Sequence, residues 1–248
     1  SEQKFKSKES GVMELFSSNE DLKIGKLQIN KHSDSEKLKM ELESFGFYFS
    51  QHPISLVRKT LSSKLKPIKK LVTTNTDKFI PVLINHKRVI KKGSNMYVFL
   101  EVSDETGVID VSVPNELYEE KKPLFKENTI AMIKGTISAD DYRRENLEDV
   151  GIKVRAADIF PIDTARNFVT SQIKISVPIS KIEALANGKF SEFEELNSPD
   201  GIDVTLEFRD YAKNLSTEIK VDSFRISLED STFEKLDKLF GEENYTLF

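Results

Sequence analysis

Between Phe79 and Asp163 the chain alternates apolar and polar residues in five short runs, with one helical stretch between the third and fourth. Few folds accommodate that order. The first run covers residues 79–91, and Lys92-Gly93-Ser94-Asn95 turns it into the second, residues 96–103. Asp104-Glu105-Thr106-Gly107, with a glycine free to take positive φ, leads to the third at 108–113, so the three form an antiparallel meander. A helical stretch at 115–125 follows, then runs at 129–138 and 151–161.

The order strand, strand, strand, helix, strand, strand belongs to the five-stranded oligonucleotide-binding barrel, the OB-fold. Two amphipathic helices are predicted ahead of it. Ser33 and Glu36 form a capping box before Leu38, Leu42, Phe45 and Phe49, and Pro53 ends that helix. Ile54, Val57, Leu61 and Leu65 set the second, which Pro67 ends. Behind the barrel, residues 171–248 hold 16 acidic against 9 basic residues. There Ile202, Val204, Leu206 and Phe208 alternate in one strand and Leu215, Thr217, Ile219 and Val221 in the next, and Phe233, Leu236 and Phe240 mark a last helix. The expected fold class is therefore mainly β with α. The divisions are a flexible arm at 1–32, two helices at 33–72, an OB-fold at 73–168 and an acidic α+β domain at 169–248.

At 248 residues and 38% hydrophobic, the chain has material for more than one core. With no cysteine it has no disulfide framework, thiolate zinc site or cysteine nucleophile, which fits a reducing, cytoplasmic setting. No apolar run reaches the roughly 18 residues of a membrane helix. His32, His52 and His86 lack metal-ligand spacing, and Walker, dinucleotide and nucleophile-elbow motifs are absent. The expectation is a chain without catalysis, metal, cofactor or small-molecule substrate.

Charge points to another kind of partner. The net charge is −4, yet residues 50–95 contain 11 Lys or Arg and one acidic residue, Asp77. A local basic patch is enough to attract a polyanion, because screening confines each charge to its neighbourhood. In the second strand Met96, Val98, Leu100 and Val102 face the barrel and Tyr97, Phe99 and Glu101 face outward. Flat outward rings can stack unpaired bases, and Lys87, Arg88, Lys91 and Lys92 flank them. Packing of those rings beneath the helices or another domain is the competing reading. Tyr142, Arg143 and Arg144 lie between the last two strands, in a loop that OB-folds close over a ligand. Five acids in that loop fit an exposed, charge-balanced segment equally well.

Phe45-Gly46-Phe47-Tyr48-Phe49-Ser50-Gln51-His52-Pro53 resembles the signature ahead of the OB-fold in the alpha subunit of bacterial DNA polymerase III. The likeness continues through Asp104-Glu105-Thr106-Gly107, Ile133-Lys134-Gly135-Thr136-Ile137-Ser138 and Asp158-Ile159-Phe160-Pro161-Ile162-Asp163-Thr164-Ala165-Arg166. It covers most of residues 35–170 and implies the C-terminal portion of that polymerase, apart from its catalytic palm, thumb and fingers. What the resemblance implies is binding of single-stranded template DNA by the barrel, of the sliding clamp by the arm, and of the clamp-loader tau subunit by the last domain. Val12, Met13, Leu15 and Phe16 would form the clamp peptide, with Val12 standing where the family's motif opens with Gln. Two alternatives stay open: a protein-only adaptor, and a tRNA-binding module built on the same barrel.

Overall fold

Alternating side chains separate into an inside and an outside in the computed structural model, which describes residues 33–93, 95–140, 151–184 and 190–248. The arm with Val12, Met13, Leu15 and Phe16 lies outside the described residues, as does the loop carrying Arg143 and Arg144.

Helices α1 (Asp34–Phe45) and α2 (Pro53–Arg58) lead into β1 (Thr74–Lys92), β2 (Asn95–Asp104), β3 (Gly107–Val113), α3 (Asn115–Glu120), β4 (Thr129–Ala139) and β5 (Ile152–Pro161). The five strands form a closed barrel in the order β1-β2-β3-β5-β4. Strand β1 runs for 19 residues because it serves two neighbours. Its first half pairs with β4 and its second half with β2, while a parallel β3–β5 pairing closes the ring. Ile80, Val82, Ile84, Val98, Leu100, Val102, Ile109, Val111, Ile133 and Ile159 fill the interior, and Phe125 and Ile68 are fully buried in the same core. Full burial of each such side chain is worth about 1.5–3 kcal/mol. Gly135 sits where β4 passes so close to β5 that an added Cβ would lie 2.3 Å from the Arg155 carbonyl oxygen.

Both leading helices are shorter than their periodicity predicts. The first ends at Phe45, because Gly46 takes φ 77° and turns its N–H back to the Leu42 carbonyl. Glu41 then accepts hydrogen bonds from the Phe49 and Ser50 amides, so Phe49 lies outside the helix. The second was expected to run from Ile54 to Leu65 and stops at Arg58. Leu61 instead packs with Met132 and Ala165 on the outside of the barrel, and the Ser63 amide donates to the Leu247 carbonyl. Contacts distant in sequence hold the apolar positions that mimicked helical spacing.

The segment after α2 is fixed by a buried carboxylate. Asp104 Oδ2 accepts from the Ile68 amide at 2.7 Å and from Arg58 at 3.0 Å, and its Oδ1 accepts from the Thr106 amide, the Thr106 hydroxyl and the Gly107 amide. Beside it His52 caps α2. Its Nδ1 accepts from the Ile54 amide, which leaves Nε2–H to donate to Ser103 Oγ, whose hydroxyl donates to Asn85.

Burial pushes the His52 imidazole below its ordinary value of 6.5, and the pull of Asp104 and Glu105 in the other direction does not cancel it. A depressed folded value means that the unfolded chain binds the proton more readily. The stabilisation is therefore complete above about pH 6.5 and is lost as pH falls through the lower folded value. Denaturant midpoints between about pH 7.5 and about pH 5.5 are expected to fall more steeply for the wild type than for His52→Asn, which keeps an N-cap acceptor without a titrating ring. Parallel curves for the two would refute this.

After the barrel come α4 (Ile162–Val169), β6 (Gln172–Pro178), α5 (Ile182–Ala184), α6 (Phe190–Glu194), β7 (Asn197–Asp210), β8 (Leu215–Ile226), α7 (Asp230–Phe240) and β9 (Tyr245–Leu247). Their sheet has the order β8-β7-β6-β9, with β6 and β7 parallel. Helix α7 buries Phe233, Leu236, Leu239 and Phe240 in a second core with Ile173, Ile175, Val177 and Val204. The predicted mainly β architecture with a second, smaller α+β unit is the observed one. Arg166 of α4 ties the two parts together by a 2.5 Å contact with Asp230 at the start of α7.

Candidate nucleic-acid interface

A bulge in β1 decides which cations share a face with the outward aromatics. Ile84 pairs with Val102, but the next pair is His86 with Glu101, so Asn85 is the extra residue. Inward positions before the bulge are even-numbered; after it they are odd. Lys87 consequently pairs with Leu100, a core position, and Arg88 pairs with Phe99 on the outside. Were Asn85 an ordinary step of the strand and not a bulge, Arg88 would point into the barrel.

The outer face then reads across four strands. Arg88 on β1 opposes Phe99 on β2, Phe99 opposes Ser112 on β3, and Ser112 opposes Arg155 on β5. At about 4.8 Å per strand this row spans roughly 14 Å, the length of a few nucleotides. The Arg88 guanidinium lies 5.6 Å from the centre of the Phe99 ring, a cation over a π face. Tyr97 is 45% exposed and pairs with Ile90, itself 40% exposed. Lys91 and Lys92 stand exposed at the tip of the same hairpin.

Arg155 was not among the residues singled out from sequence, although the signal was present. In Ile152-Lys153-Val154-Arg155-Ala156 the apolar members turn inward and the two cations outward, by the ordinary period of a strand. Arg155 is exposed and has no ion pair among the described residues.

Lys87 leaves the group. Its ammonium lies 5.6 Å from the Tyr118 ring centre and its amide donates to Glu127, away from the aromatic face. The basic segment as a whole does not form one patch. Arg58 is engaged with Asp104 and Glu105. Lys64, Lys66 and Lys78 line a separate groove of about 560 Å³ with Leu71, Val72 and Phe79.

Acidic residues limit the interface on one side. Glu101 and Asp110 oppose each other in the row next to Phe99 and Ser112, and Lys153 pairs with Asp110. A phosphate backbone would be repelled there, so the favourable track runs along Arg155, Phe99 and Arg88 towards Tyr97 and the hairpin tip. Among the described residues no three His, Asp or Glu side chains are grouped to hold a metal ion, and no helix is long and apolar enough to cross a membrane.

The profile of the OB-fold nucleic acid binding domain matches residues 82–162, the stretch that carries every residue of this face. Along its length the chain is similar to DNA polymerase III subunit alpha of several bacteria. It is 31% identical to that of Aquifex aeolicus over 50% of this chain. It is 25% identical to that of Bacillus subtilis over 85%, and 27% identical to that of Buchnera aphidicola subsp. Schizaphis graminum over 98%. The chain spans only 10%, 18% and 21% of those three relatives, respectively. The matched domain is a nucleic-acid-binding fold, not a catalytic one. Among solved structures, a replication protein A heterotrimer bound to ssDNA is similar over 62% of this chain and 36% of that one, at 16% identity and a TM-score of 0.32. An asparaginyl-tRNA synthetase from Pyrococcus horikoshii is similar over 41% of this chain and 20% of its own, at 15% identity and a TM-score of 0.27.

Proposed function

We propose that this chain is a non-catalytic part of a replicative DNA polymerase alpha subunit, and that its barrel holds single-stranded template DNA. The observation that carries the reading is the outer row of Arg88, Phe99, Ser112 and Arg155, with Tyr97 uncovered beside it. Stacking on Tyr97 and Phe99 tolerates any base, while Arg88, Arg155 and Lys92 supply charge for the backbone. Such a surface grips a template without reading its sequence, as a polymerase requires. Contacts of residues Val12, Met13, Leu15 and Phe16 with a sliding clamp, and of the last domain with a clamp-loader tau subunit, belong to the same reading and rest on likeness in sequence alone.

The test is fluorescence anisotropy of a labelled oligo(dT) titrated with the chain at two salt concentrations, with a duplex as control. The expected result is binding that favours the single strand and weakens with salt, with a slope of about −0.7 for each phosphate contact. No binding even at low salt would replace this reading with that of a protein-only adaptor. Preference for a folded tRNA over oligo(dT) would point to the RNA-binding use of the barrel.

A further inference from the structure

Among the described residues β8 is hydrogen-bonded on one side only in the second sheet, since the strand order ends with it. Every residue from 211 to 220 is exposed, including Tyr211 at 66%, Leu215 at 63% and Ile219 at 51%. These apolar side chains are not scattered. Ile219 pairs with Leu206 and Thr217 with Phe208, both of which pack against the core under α7, so they continue the apolar face of the sheet beyond the helix that covers it. Ile179 and Ile182, both exposed, follow the end of β6, where Pro178 pairs with Arg209 beside the same hairpin. An open backbone edge thus coincides with an exposed apolar face. Each is a feature that folded monomers ordinarily keep small, and together they form a template for one more strand.

We propose that the strand added is β8 of a second copy of this chain, antiparallel, with the two-fold axis passing through Ile219. In that register Ile219 meets its own counterpart and Thr217 faces Val221 on the apolar side. On the other side Glu218 faces Lys220 of the second copy, twice by symmetry. The neighbouring registers are worse. An axis at Glu218 or at Lys220 sets like charges against each other, and one at Thr217 gives up both ion pairs. An axis at Val221 runs the pairing into the bulge at 222–224, where Ser223 takes φ 62°. Glu218 and Lys220 already touch Lys174 and Asp203 within the sheet, yet each side chain remains more than half exposed and free to meet a second partner.

The experiment is sedimentation equilibrium of the full 248-residue chain without nucleic acid, from about 1 to about 300 µM, with circular dichroism to verify folding. The expected result is a shift from the 28.3 kDa monomer towards twice that mass. Glu218→Lys and Lys220→Glu should each weaken association by about tenfold or more, and the double variant should restore it, because opposite charges again face each other across the axis. A monomer at every concentration would overturn the proposal. So would folded single variants that associate as well as the wild type, or a double variant that stays as weak as the singles, since the charges would then act within one sheet. Because no DNA is present, failure here leaves the template-binding reading untouched.

Discussion

Replacing Tyr97 and Phe99 together by alanine is expected to weaken binding of oligo(dT) by at least about tenfold and up to several hundredfold. Base stacking on an aromatic side chain is worth about 1–3 kcal/mol per base, and loss of even one such contact approaches a factor of ten. Charge reversal acts differently. Arg88→Glu and Arg155→Glu should each lower affinity for every sequence alike and make the salt dependence shallower by about 0.7 for the phosphate no longer neutralised. Lys87→Glu is the internal control. It differs from Arg88 by one position, but its side chain lies over Tyr118, so it should leave both affinity and salt slope nearly unchanged. Equal losses from Lys87→Glu and Arg88→Glu would mean that DNA does not follow the outer row.

That contrast also marks how far the sequence was legible. Strands β2 and β3 follow strict alternation, and the inward set Val98, Leu100, Val102, Ile109 and Val111 could be read directly. Strand β1 has an equally clear pattern but contains the unpaired Asn85, and nothing local distinguishes a bulged residue from one more step of the strand. Alternation alone sets Lys87 and Arg88 on opposite sides, and only the bulge decides that Arg88 is the one that faces outward. Arg155 is readable by the same alternation that identifies Tyr97 and Phe99, but its run stands apart from the dense basic segment, and only the barrel closure brings it beside Ser112. The second helix failed for another reason. Leu61 and Leu65 do recur at helical spacing, but their burial partners Met132 and Ala165 are more than 65 residues away, and only the folded barrel brings them together. The coincidence of Ile219 and Leu215 with an open edge was also out of reach, because alternation shows which side of a strand is apolar but not where the covering helix stops.

The barrel's weakest point under mutation is expected at Asp104. Its carboxylate is fully enclosed and accepts five hydrogen bonds, which join the end of β2, the turn into β3 and the segment after α2. Asp104→Ala removes all five acceptor contacts at once. The Ile68 amide, buried in the barrel core, is left unpaired, and Arg58 keeps Glu105 and the Leu65 carbonyl. Breaking a buried, hydrogen-bonded charge pair by removing one partner typically costs about 3–5 kcal/mol, a large part of a stability of about 5–15 kcal/mol. Arg58→Ala should be milder, at about 1–3 kcal/mol, because Asp104 retains the amides of Ile68, Thr106 and Gly107. The loss in the double variant should be smaller than the sum of the two single losses, since both single variants remove the same Asp104–Arg58 contact. Urea denaturation of the four proteins provides the cycle. An Asp104→Ala loss below about 1 kcal/mol would show that the carboxylate is dispensable and that the turn holds by other contacts. Oligo(dT) affinity measured while the variant is still folded should change little, because Arg88, Phe99 and Arg155 lie along the strands and not at this turn.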